Sequence, residues 1–267
     1  MANTIGILGL GKMGEALVRG MLDAGVAKNR ILGTTGRAKS AAEASKRLGI
    51  KVFTDNQKLI EKCDVIFLSV KPQHVEAVLN ENSKSLTKKK LLVSVCASIT
   101  TSQLESWSGG RCAVVRSMPN TPCLIGEGVT AIASSATSKP SDLKLVSELF
   151  ETVGKVVVLD ESLMDGATGL SGCGPAYVYL VIEALSEAGV KVGLPRKTAT
   201  LLAAQTLVGA AKMVLERGEH PAALKDEVTT PAGCTIDGLM ALEAGGLRVT
   251  LINAVMAAAE RSTKLSR

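Results

Sequence analysis

A glycine-rich turn near the start of the chain constrains the fold more than any other feature. It reads Gly-Leu-Gly-Lys-Met-Gly and directly follows the apolar residues Ile5, Ile7 and Leu8. A buried strand that leads into a helix through glycines is typical of dinucleotide-binding folds. The first glycine allows a tight turn, the second lets a phosphate approach the backbone, and the third lets the helix pack closely. The pattern predicts a dinucleotide pyrophosphate on the helix N-terminus, held by Gly9, Leu10, Gly11, Lys12, Met13 and Gly14.

The end of the second strand indicates which dinucleotide is bound. Ile31-Leu32-Gly33 ends about twenty residues beyond the glycines, where a protein that prefers NAD usually carries an Asp or Glu for the ribose 2′-hydroxyl. This chain has Thr34, Thr35 and Arg37 there instead. Hydroxyls and a guanidinium suit a 2′-phosphate, so the sequence predicts NADP, with NADPH preferred over NADH. The alternative is that Arg37 is an ordinary surface residue.

The period of the apolar residues changes along the chain and predicts two domains. Up to Asp160, short apolar strands alternate with helical stretches, which is typical of a doubly wound, mostly parallel sheet with helices on both faces. After Asp160 the strand signal stops, and stretches rich in Ala, Leu, Val and Met follow at helical spacing. We predict an α/β chain with a Rossmann-like dinucleotide-binding domain over residues 1–160 and an all-helical domain over residues 161–267.

Polar and turn-forming residues follow two strands at the edge where an open α/β sheet binds its ligand. Ser69-Val70-Lys71-Pro72 follows the fourth strand, and Val95-Cys96-Ala97-Ser98 follows the fifth. A role as a loop or a cap fits each single residue equally well. The residues that we expect to contact the cofactor here, with Asn56 before a short helix, are Asn56, Ser69, Val70, Lys71, Pro72, Val95, Cys96 and Ala97.

One helical stretch of the second half is apolar over more than one face. Residues 198–215 carry Leu, Val and Ala around most of the helix circumference, so we expect this helix to be buried all round. So much apolar surface in a small helical domain favours burial against a second subunit. A core within the same chain is the alternative.

The composition narrows the class of protein. Of the 267 residues, 46% are hydrophobic and 21% are charged, as expected of a globular chain. The formal charge of +6 does not predict nucleic-acid binding, because only 2% of the residues are aromatic and able to stack on bases. A moderate positive field would instead attract an anionic cofactor and an anionic substrate.

Location and metal content are also constrained. No apolar stretch is expected to reach membrane-spanning length, and the N-terminus lacks the features of a signal peptide, so we expect a cytoplasmic protein that does not bind a membrane. Six cysteines without Cys-x-x-Cys spacing and only two histidines predict reduced thiols and no metal site.

Two segments of the helical half bring polar groups to helix ends. They are residues 169–177 (Gly-Leu-Ser-Gly-Cys-Gly-Pro-Ala-Tyr) and residues 224–235, and each is expected to end one helix and open another. We predict that the second junction seats a carboxylate, with the hydroxyl of Thr230 and the N–H groups of Gly233, Cys234 and Thr235 as donors. Two capped helix junctions without a ligand are the alternative.

Five motifs in order give the chain a resemblance to a known family. They are residues 9–14, Ser69-Val70-Lys71-Pro72, Met118-Pro119-Asn120-Thr121, residues 169–177 and residues 225–235. With them the chain resembles the pyrroline-5-carboxylate reductases over essentially its whole length. The first motif is shared by many dehydrogenases, whereas the last two are highly specific.

The resemblance implies an activity and an assembly. The activity is hydride transfer from NADPH to the C=N carbon of 1-pyrroline-5-carboxylate, which gives L-proline in the last step of proline biosynthesis. The resemblance also implies that the helical half is a dimerisation and substrate-binding domain, with a decamer as the larger assembly. It adds Asn120 to the expected cofactor residues.

The resemblance further implies that the substrate carboxylate lies on residues 230–235, with Thr235 near the ring nitrogen as the catalytic residue. A cyclic imine becomes strongly electrophilic only when protonated, and none of the motifs contains a His. We expect Thr235 to position the ring or relay a proton, because a hydroxyl is a poor bulk acid.

The chain departs from the family pattern at the same junction. Thr230-Pro231-Ala232-Gly233 replaces the usual Ser-Pro-Gly-Gly, and Cys173 and Cys234 stand where small non-thiol residues are more usual. Ala232 disfavours a left-handed backbone more strongly than Gly would. A thiol beside Thr235 is either a buried, inert group or a site that makes activity sensitive to thiol reagents.

Two other functions fit part of the pattern. The β-hydroxyacid dehydrogenases share a similar glycine turn and a helical second domain, but they use a lysine as base, and residues 168–188 contain no lysine. A non-catalytic NADP-binding sensor would keep the glycine turn but would have no reason to keep a carboxylate seat.

Overall fold

The chain forms two compact units in a computed structural model that describes residues 3–266. The first unit comprises the residues up to Cys173 together with the segment that begins at Ala257, and the second is Gly174–Met256. The last strand ends at Val158, so the change from strands to helices falls where the sequence predicts it. The first unit continues to Cys173 because Met164 packs into a small core with sheet residues Ala131 and Ala133. The domain boundary at residue 160 stays a prediction.

The first unit is built on one sheet. Its strands, among the residues that the structure describes, are β1 (Ile5–Leu8), β2 (Ile31–Thr34), β3 (Lys51–Phe53), β4 (Val65–Leu68), β5 (Leu91–Ser94), β6 (Ala113–Met118), β7 (Gly128–Ser134) and β8 (Gly154–Val158). They lie in the order β3-β2-β1-β4-β5-β6-β7-β8. The first six are parallel, β7 is antiparallel to β6, and β8 is parallel to β7. The predicted Rossmann-like, mostly parallel sheet is confirmed.

Twelve helices accompany the strands within residues 3–266. They are α1 (Lys12–Asp23), α2 (Ala38–Leu48), α3 (Asn56–Lys62), α4 (Val75–Asn82), α5 (Thr101–Trp107), α6 (Pro140–Phe150), α7 (Met164–Ala167), α8 (Gly174–Lys191), α9 (Arg196–Arg217), α10 (Pro221–Glu227), α11 (Cys234–Ala244) and α12 (Leu247–Ser266).

The central strands are buried on both faces, and their alternate side chains enter two separate apolar cores. Phe67 of β4 lies in the core formed with α1 and α6, where its ring meets Phe150 edge to face with centroids 5.6 Å apart. Ile66 and Leu68 of the same strand point into the core formed with α3, α4 and α5. Because both faces of the sheet are covered by helices, a ligand can reach the sheet only where the strands end. The carboxyl ends of β1 to β6 lie along the same edge of the sheet, because these strands are parallel.

Local capping fixes where two helices begin at that edge. The side chain of Asp55 accepts a hydrogen bond from the N–H group of Lys58 (3.1 Å) and so caps α3. Thr100 caps α5, where its hydroxyl accepts from the N–H group of Gln103 and the Gln103 side chain accepts from the N–H group of Thr100. Both caps satisfy N–H groups that a helix start leaves without partners.

The second unit is helical, and its longest helix is largely exposed in the single chain. Leu201 and Leu215 of α9 are 67% and 74% exposed, whereas Ala199 and Ala203 are its buried residues. Ala199 lies against α8 beside Gly189, where a Cβ atom would approach within 2.7 Å of the Ala199 Cβ atom. The alternative that this apolar helix forms a core within its own chain is therefore wrong.

The expectation that no stretch reaches membrane-spanning length is also wrong. Helix α9 has 22 residues and is long and apolar enough to cross a membrane by length and composition, and α11 with α12 passes the same test as one span bent by 49°. A helix of this composition is covered either by protein or by lipid. Length and composition do not distinguish the two.

Residues 169–177 also differ from the expected open junction. Residues 168–172 form a single wide turn, in which the N–H group of Cys173 donates to the carbonyl of Thr168 (2.9 Å), and α8 starts directly afterwards. Because this turn continues the helical path from α7, the segment has fewer free N–H groups than the sequence indicates.

Candidate active site

The three glycines of the N-terminal turn are required for different structural reasons. Gly9 has a φ of +91°, which favours glycine, and a Cβ atom there would lie 2.9 Å from the carbonyl oxygen of Ser69. A Cβ atom on Gly14 would lie 2.8 Å from the carbonyl oxygen of Gly9. A Cβ atom on Gly11 would have no neighbour within 4 Å. Two glycines therefore serve the fold, whereas Gly11 faces open space, where a phosphate can approach the backbone.

The start of α1 offers hydrogen-bond donors beside that space. The first hydrogen bond of the helix runs from the N–H group of Glu15 to the carbonyl of Gly11 (2.9 Å), so the N–H groups of Lys12, Met13 and Gly14 have no acceptor within the helix. The side chains of Leu10 and Met13 pack against the core. The N–H group of Leu10 donates to the carbonyl of Thr34 (2.8 Å) and that of Gly11 donates to the carbonyl of Gly9 (2.9 Å), so the expectation that these two N–H groups hold a phosphate is wrong, and the free donors are those that open α1. The arrangement fits the pyrophosphate of a dinucleotide.

The residues after β2 have two different roles: one is buried and supports the glycine turn, and the others form an exposed turn before α2. Thr34 is 2% exposed, and its hydroxyl accepts a hydrogen bond from the N–H group of Gly9 (3.2 Å). The hydroxyl of Thr35 donates to the carbonyl of Arg37 (3.1 Å) at the N-terminus of α2, where the Arg37 side chain is exposed. Thr34 thus holds the glycine turn, and a contact of Thr35 or Arg37 with a 2′-phosphate stays a prediction.

The segments after β4 and β5 lie side by side at the same edge. The N–H group of Ser69 donates to the carbonyl of Leu8 (2.8 Å), and Lys71 and Pro72 open a short 3₁₀ turn. The thiol of Cys96 lies 3.3 Å from the carbonyl oxygen of Val70. Burial raises the pKa of the Cys96 thiol to about 11, so this side chain is a neutral donor that ties the two segments together.

Two asparagines were expected at the cofactor, and the structure gives them different surroundings. Asn56 is the first residue of α3 and half-buried, next to the cap Asp55. Asn120 is buried, and its side chain accepts from the N–H group of Val129 (3.0 Å) and donates to the carbonyl of Ser171 (3.2 Å). Asn120 therefore joins two loops of the protein, and a direct contact with the cofactor stays a prediction.

In the second unit, residues 228–233 connect α10 to α11 as predicted. Arg217 of α9 holds Glu227 at the end of α10 through two hydrogen bonds of 2.8 Å and 2.6 Å, and these lower the pKa of the Glu227 carboxyl. This bidentate pair links the last residue of α9 to the last residue of α10, directly before the junction.

The donors at this junction differ in one respect from those predicted. The N–H group of Gly233 donates to the carbonyl of Thr230 (3.0 Å), so the expectation that it is free for a ligand is wrong. The N–H groups of Cys234 and Thr235 are the first two of α11 and have no acceptor within the helix. Within residues 3–266 the hydroxyls of Thr230 and Thr235 make no hydrogen bond.

Ala232 takes the left-handed conformation that its side chain disfavours, with a φ of +58°. The turn therefore keeps the shape that a glycine would adopt, at a cost of about 1 kcal/mol. Cys234 is exposed rather than buried, so the thiol beside Thr235 is accessible in the single chain.

One buried charge in the first unit went unrecognised in the sequence. Arg116 is only 4% exposed in its side chain and pairs with Glu161 (3.4 Å) and Asp165 (3.2 Å). A lone arginine within the apolar run of β6 was the available signal, because a buried guanidinium requires carboxylate partners. Ser98, which has a φ of +58°, gave no signal in the sequence.

Two family models match separate parts of the chain. Residues 161–265 match the family model "Pyrroline-5-carboxylate reductase dimerisation", and residues 4–98 match "NADP oxidoreductase coenzyme F420-dependent". The pyrroline-5-carboxylate reductase of Arabidopsis thaliana is 44% identical over 264 residues, which cover 98% of this chain and 95% of the relative. The chain belongs to the pyrroline-5-carboxylate reductase family. It is therefore a reductase of proline biosynthesis that acts on a cyclic imine with NAD(P)H.

Solved structures agree with this assignment of the reductase. A pyrroline-5-carboxylate reductase from Coxiella burnetii has a TM-score of 0.95 and 34% identity and covers 100% of both chains. The Plasmodium falciparum pyrroline carboxylate reductase, solved with NADP bound, has a TM-score of 0.89 and 37% identity and covers 100% of this chain and 99% of its own. The resemblance seen in the sequence motifs is confirmed, and the dehydrogenase and sensor alternatives are not.

We expect Gly11→Ala to weaken NADPH binding at least about tenfold without lowering the Tm, because its φ of −92° suits alanine and the new methyl group would meet only the ligand. Gly166→Ala is the control, since a Cβ atom there also has no neighbour within 4 Å. NADPH titration and thermal unfolding of both variants test this. Tight NADPH binding by the Gly11 variant would contradict the site.

Proposed function

We propose that the reductase uses NADPH in preference to NADH. The observation that carries this proposal is the turn that opens α2, where the Thr35 hydroxyl and the exposed Arg37 side chain stand at a helix N-terminus with no acidic residue in its first turn. A 2′-phosphate carries the charge that this turn attracts, whereas a bare 2′-hydroxyl is usually held by a carboxylate. The Plasmodium falciparum relative, which has NADP bound, supports the same choice.

The rest of the proposed cofactor site follows the carboxyl ends of the strands. The N–H groups that open α1 hold the pyrophosphate, Asn56 lies on the adenosine side, and the segments after β4 and β5 border the nicotinamide. Thr34 and Asn120 act by holding these loops in place. The members beyond the glycine turn are Thr34, Thr35, Arg37, Asn56, Ser69, Val70, Lys71, Pro72, Val95, Cys96, Ala97 and Asn120.

The proposed seat for the substrate carboxylate is the start of α11. Its donors are the hydroxyl of Thr230 and the N–H groups of Cys234 and Thr235, and the positive end of the helix dipole adds to them. Gly233 contributes by closing the turn onto Thr230. A Cβ atom on Gly233 would lie 2.4 Å from the Thr230 hydroxyl oxygen, so glycine is required for the two to meet.

The residues around the proposed carboxylate site orient the substrate for hydride transfer and do not supply a strong acid. Bound NADPH supplies the hydride, from the nicotinamide C4 to the C=N carbon of 1-pyrroline-5-carboxylate. The ring nitrogen arrives protonated from solution, because a hydroxyl such as that of Thr235 is a poor bulk acid. Thr235 orients the ring by hydrogen bonding at its nitrogen, which its unpaired hydroxyl allows.

The exposed apolar surface of the second unit supports self-association. We infer that a second copy covers α9, since the matching family model describes a dimerisation domain and apolar patches of this kind mark subunit contacts. Protein rather than lipid then shields this helix, and no membrane or nucleic acid is needed as a partner. We propose a homodimer that can assemble into a decamer in the cytoplasm.

We expect Arg37→Ala to raise the KM for NADPH about tenfold and to change the KM for NADH less than about twofold. The reason is that a charge-assisted hydrogen bond to phosphate is worth about 1.5–3 kcal/mol and NADH lacks this phosphate. Lys46→Ala removes the same charge from the other end of α2 and should leave both constants unchanged. Steady-state kinetics with both cofactors measure this, and equal losses for NADPH and NADH would refute the assignment.

We expect Thr235→Ala to lower kcat/KM for 1-pyrroline-5-carboxylate at least about tenfold, and Thr235→Ser to retain most of it, because only the hydroxyl is required. NADPH affinity should not change, since the start of α11 binds substrate. A loss below about threefold, which is roughly 0.6 kcal/mol, would rule out the positioning role.

A further inference from the structure

The loop between β5 and α5 is held in a strained conformation by a residue distant in sequence. Ser98 has a φ of +58°, a region that side chains other than glycine rarely adopt. Its hydroxyl lies 3.3 Å from the hydroxyl of Ser262 on α12, and both residues are buried. A strained conformation persists only where its surroundings determine it, and the described contacts identify this bond as one such determinant.

The direction of that hydrogen bond follows from the other contacts. Ser262 has one hydroxyl proton, and it donates this proton to Asp165 Oδ1 at 2.8 Å. A carboxylate can only accept, so the Ser262 oxygen must accept from Ser98. The chain of donors therefore runs from Ser98 through Ser262 to Asp165.

A single buried guanidinium supports the loop at two points, Ser98 and the start of α5. Arg116 binds Asp165, the last member of that chain, and also Glu161. The Glu161 carboxylate accepts from the N–H group of Thr101 (2.6 Å) and from its hydroxyl, at the first turn of α5. Arg116 thus organises one carboxylate for Ser98 and one for the helix that follows the loop.

The first half of the loop belongs to the proposed cofactor site. Residues 95–97 precede Ser98 directly, and the Cys96 thiol binds them to the segment after β4. We propose that Ser262 is a positioning residue for the cofactor: by accepting a hydrogen bond from Ser98, it keeps Ser98 in its left-handed conformation and thereby holds residues 95–97 where NADPH binding requires them. This inference rests on the proposed role of residues 95–97 in binding the cofactor.

The proposal predicts a specific pattern of NADPH dissociation constants. Ser262→Ala and Ser98→Ala should each raise the Kd for NADPH about fivefold. In both variants residue 98 still has a side chain that disfavours a positive φ, and the hydrogen bond between positions 98 and 262 that offsets this strain is lost. Ser98→Gly should bind more tightly than Ser98→Ala, because glycine adopts this φ without strain. In the Ser98→Gly background, Ser262→Ala should add less than about twofold.

Thr263→Ala is the matched control. Thr263 donates to the same carboxylate, at Asp165 Oδ2 (3.0 Å), from the neighbouring position on α12, but no hydrogen bond joins it to Ser98. It should lower the Tm about as much as Ser262→Ala does and leave the Kd for NADPH within about twofold of the wild type. A merely structural role of Ser262 would make the two variants alike in both measurements.

Fluorescence titration with NADPH and thermal unfolding of the full-length protein test the proposal. The proposal is supported if the effects of the substitutions at positions 98 and 262 on the Kd for NADPH are not additive, while Thr263→Ala leaves this Kd within about twofold of the wild type. An equal rise in Kd for Ser262→Ala and Thr263→Ala, or an unchanged effect of Ser262→Ala in the glycine background, would overturn it. Failure of the wild type to bind NADPH would instead contradict the proposed function.

Discussion

The close packing of α1 against β1 and against the turn before β8 depends on positions that carry no side chain, and the proposed cofactor site depends on that packing. A Cβ atom on Gly14 would lie 2.8 Å from the carbonyl oxygen of Gly9, and one on Gly20 would lie 2.2 Å from Val153 Cγ1. Larger residues would push the helix outward and move its first N–H groups with it. Because these groups bind an anion only at contact distance, the fold and the cofactor site share one constraint.

Features set by local sequence could be predicted well. The glycine turn, the apolar strands β4 and β5, and the junction before α11 each depend on a few adjacent residues whose conformational preferences are strong. The change from strands to helices after Val158 follows from the same periodicity. Even the left-handed position at Ala232 was visible as a conflict, because the family pattern has glycine where this chain has alanine.

Features set by distant contacts could not be predicted in the same way. Thr34 supports Gly9 across 25 positions, and Ser98 meets Ser262 across 164 positions. A hydroxyl carries no sequence signal for which partner it takes, so its role depends on the assembled sheet and helices. Helix α9 is a related case. Its apolar faces could be predicted from the sequence, but they are exposed in the single chain, so one sequence does not identify the surface that covers them.

Hydride transfer to the imine carbon is the central claim, and isotope labelling tests it most directly. The protein would be mixed with 1-pyrroline-5-carboxylate and NADPH that carries deuterium at the transferred C4 position, and the product would be examined by mass spectrometry and NMR. The account predicts proline with one deuterium at C5, the former imine carbon. Proline without deuterium, or oxidation of NADPH without formation of proline, would contradict it.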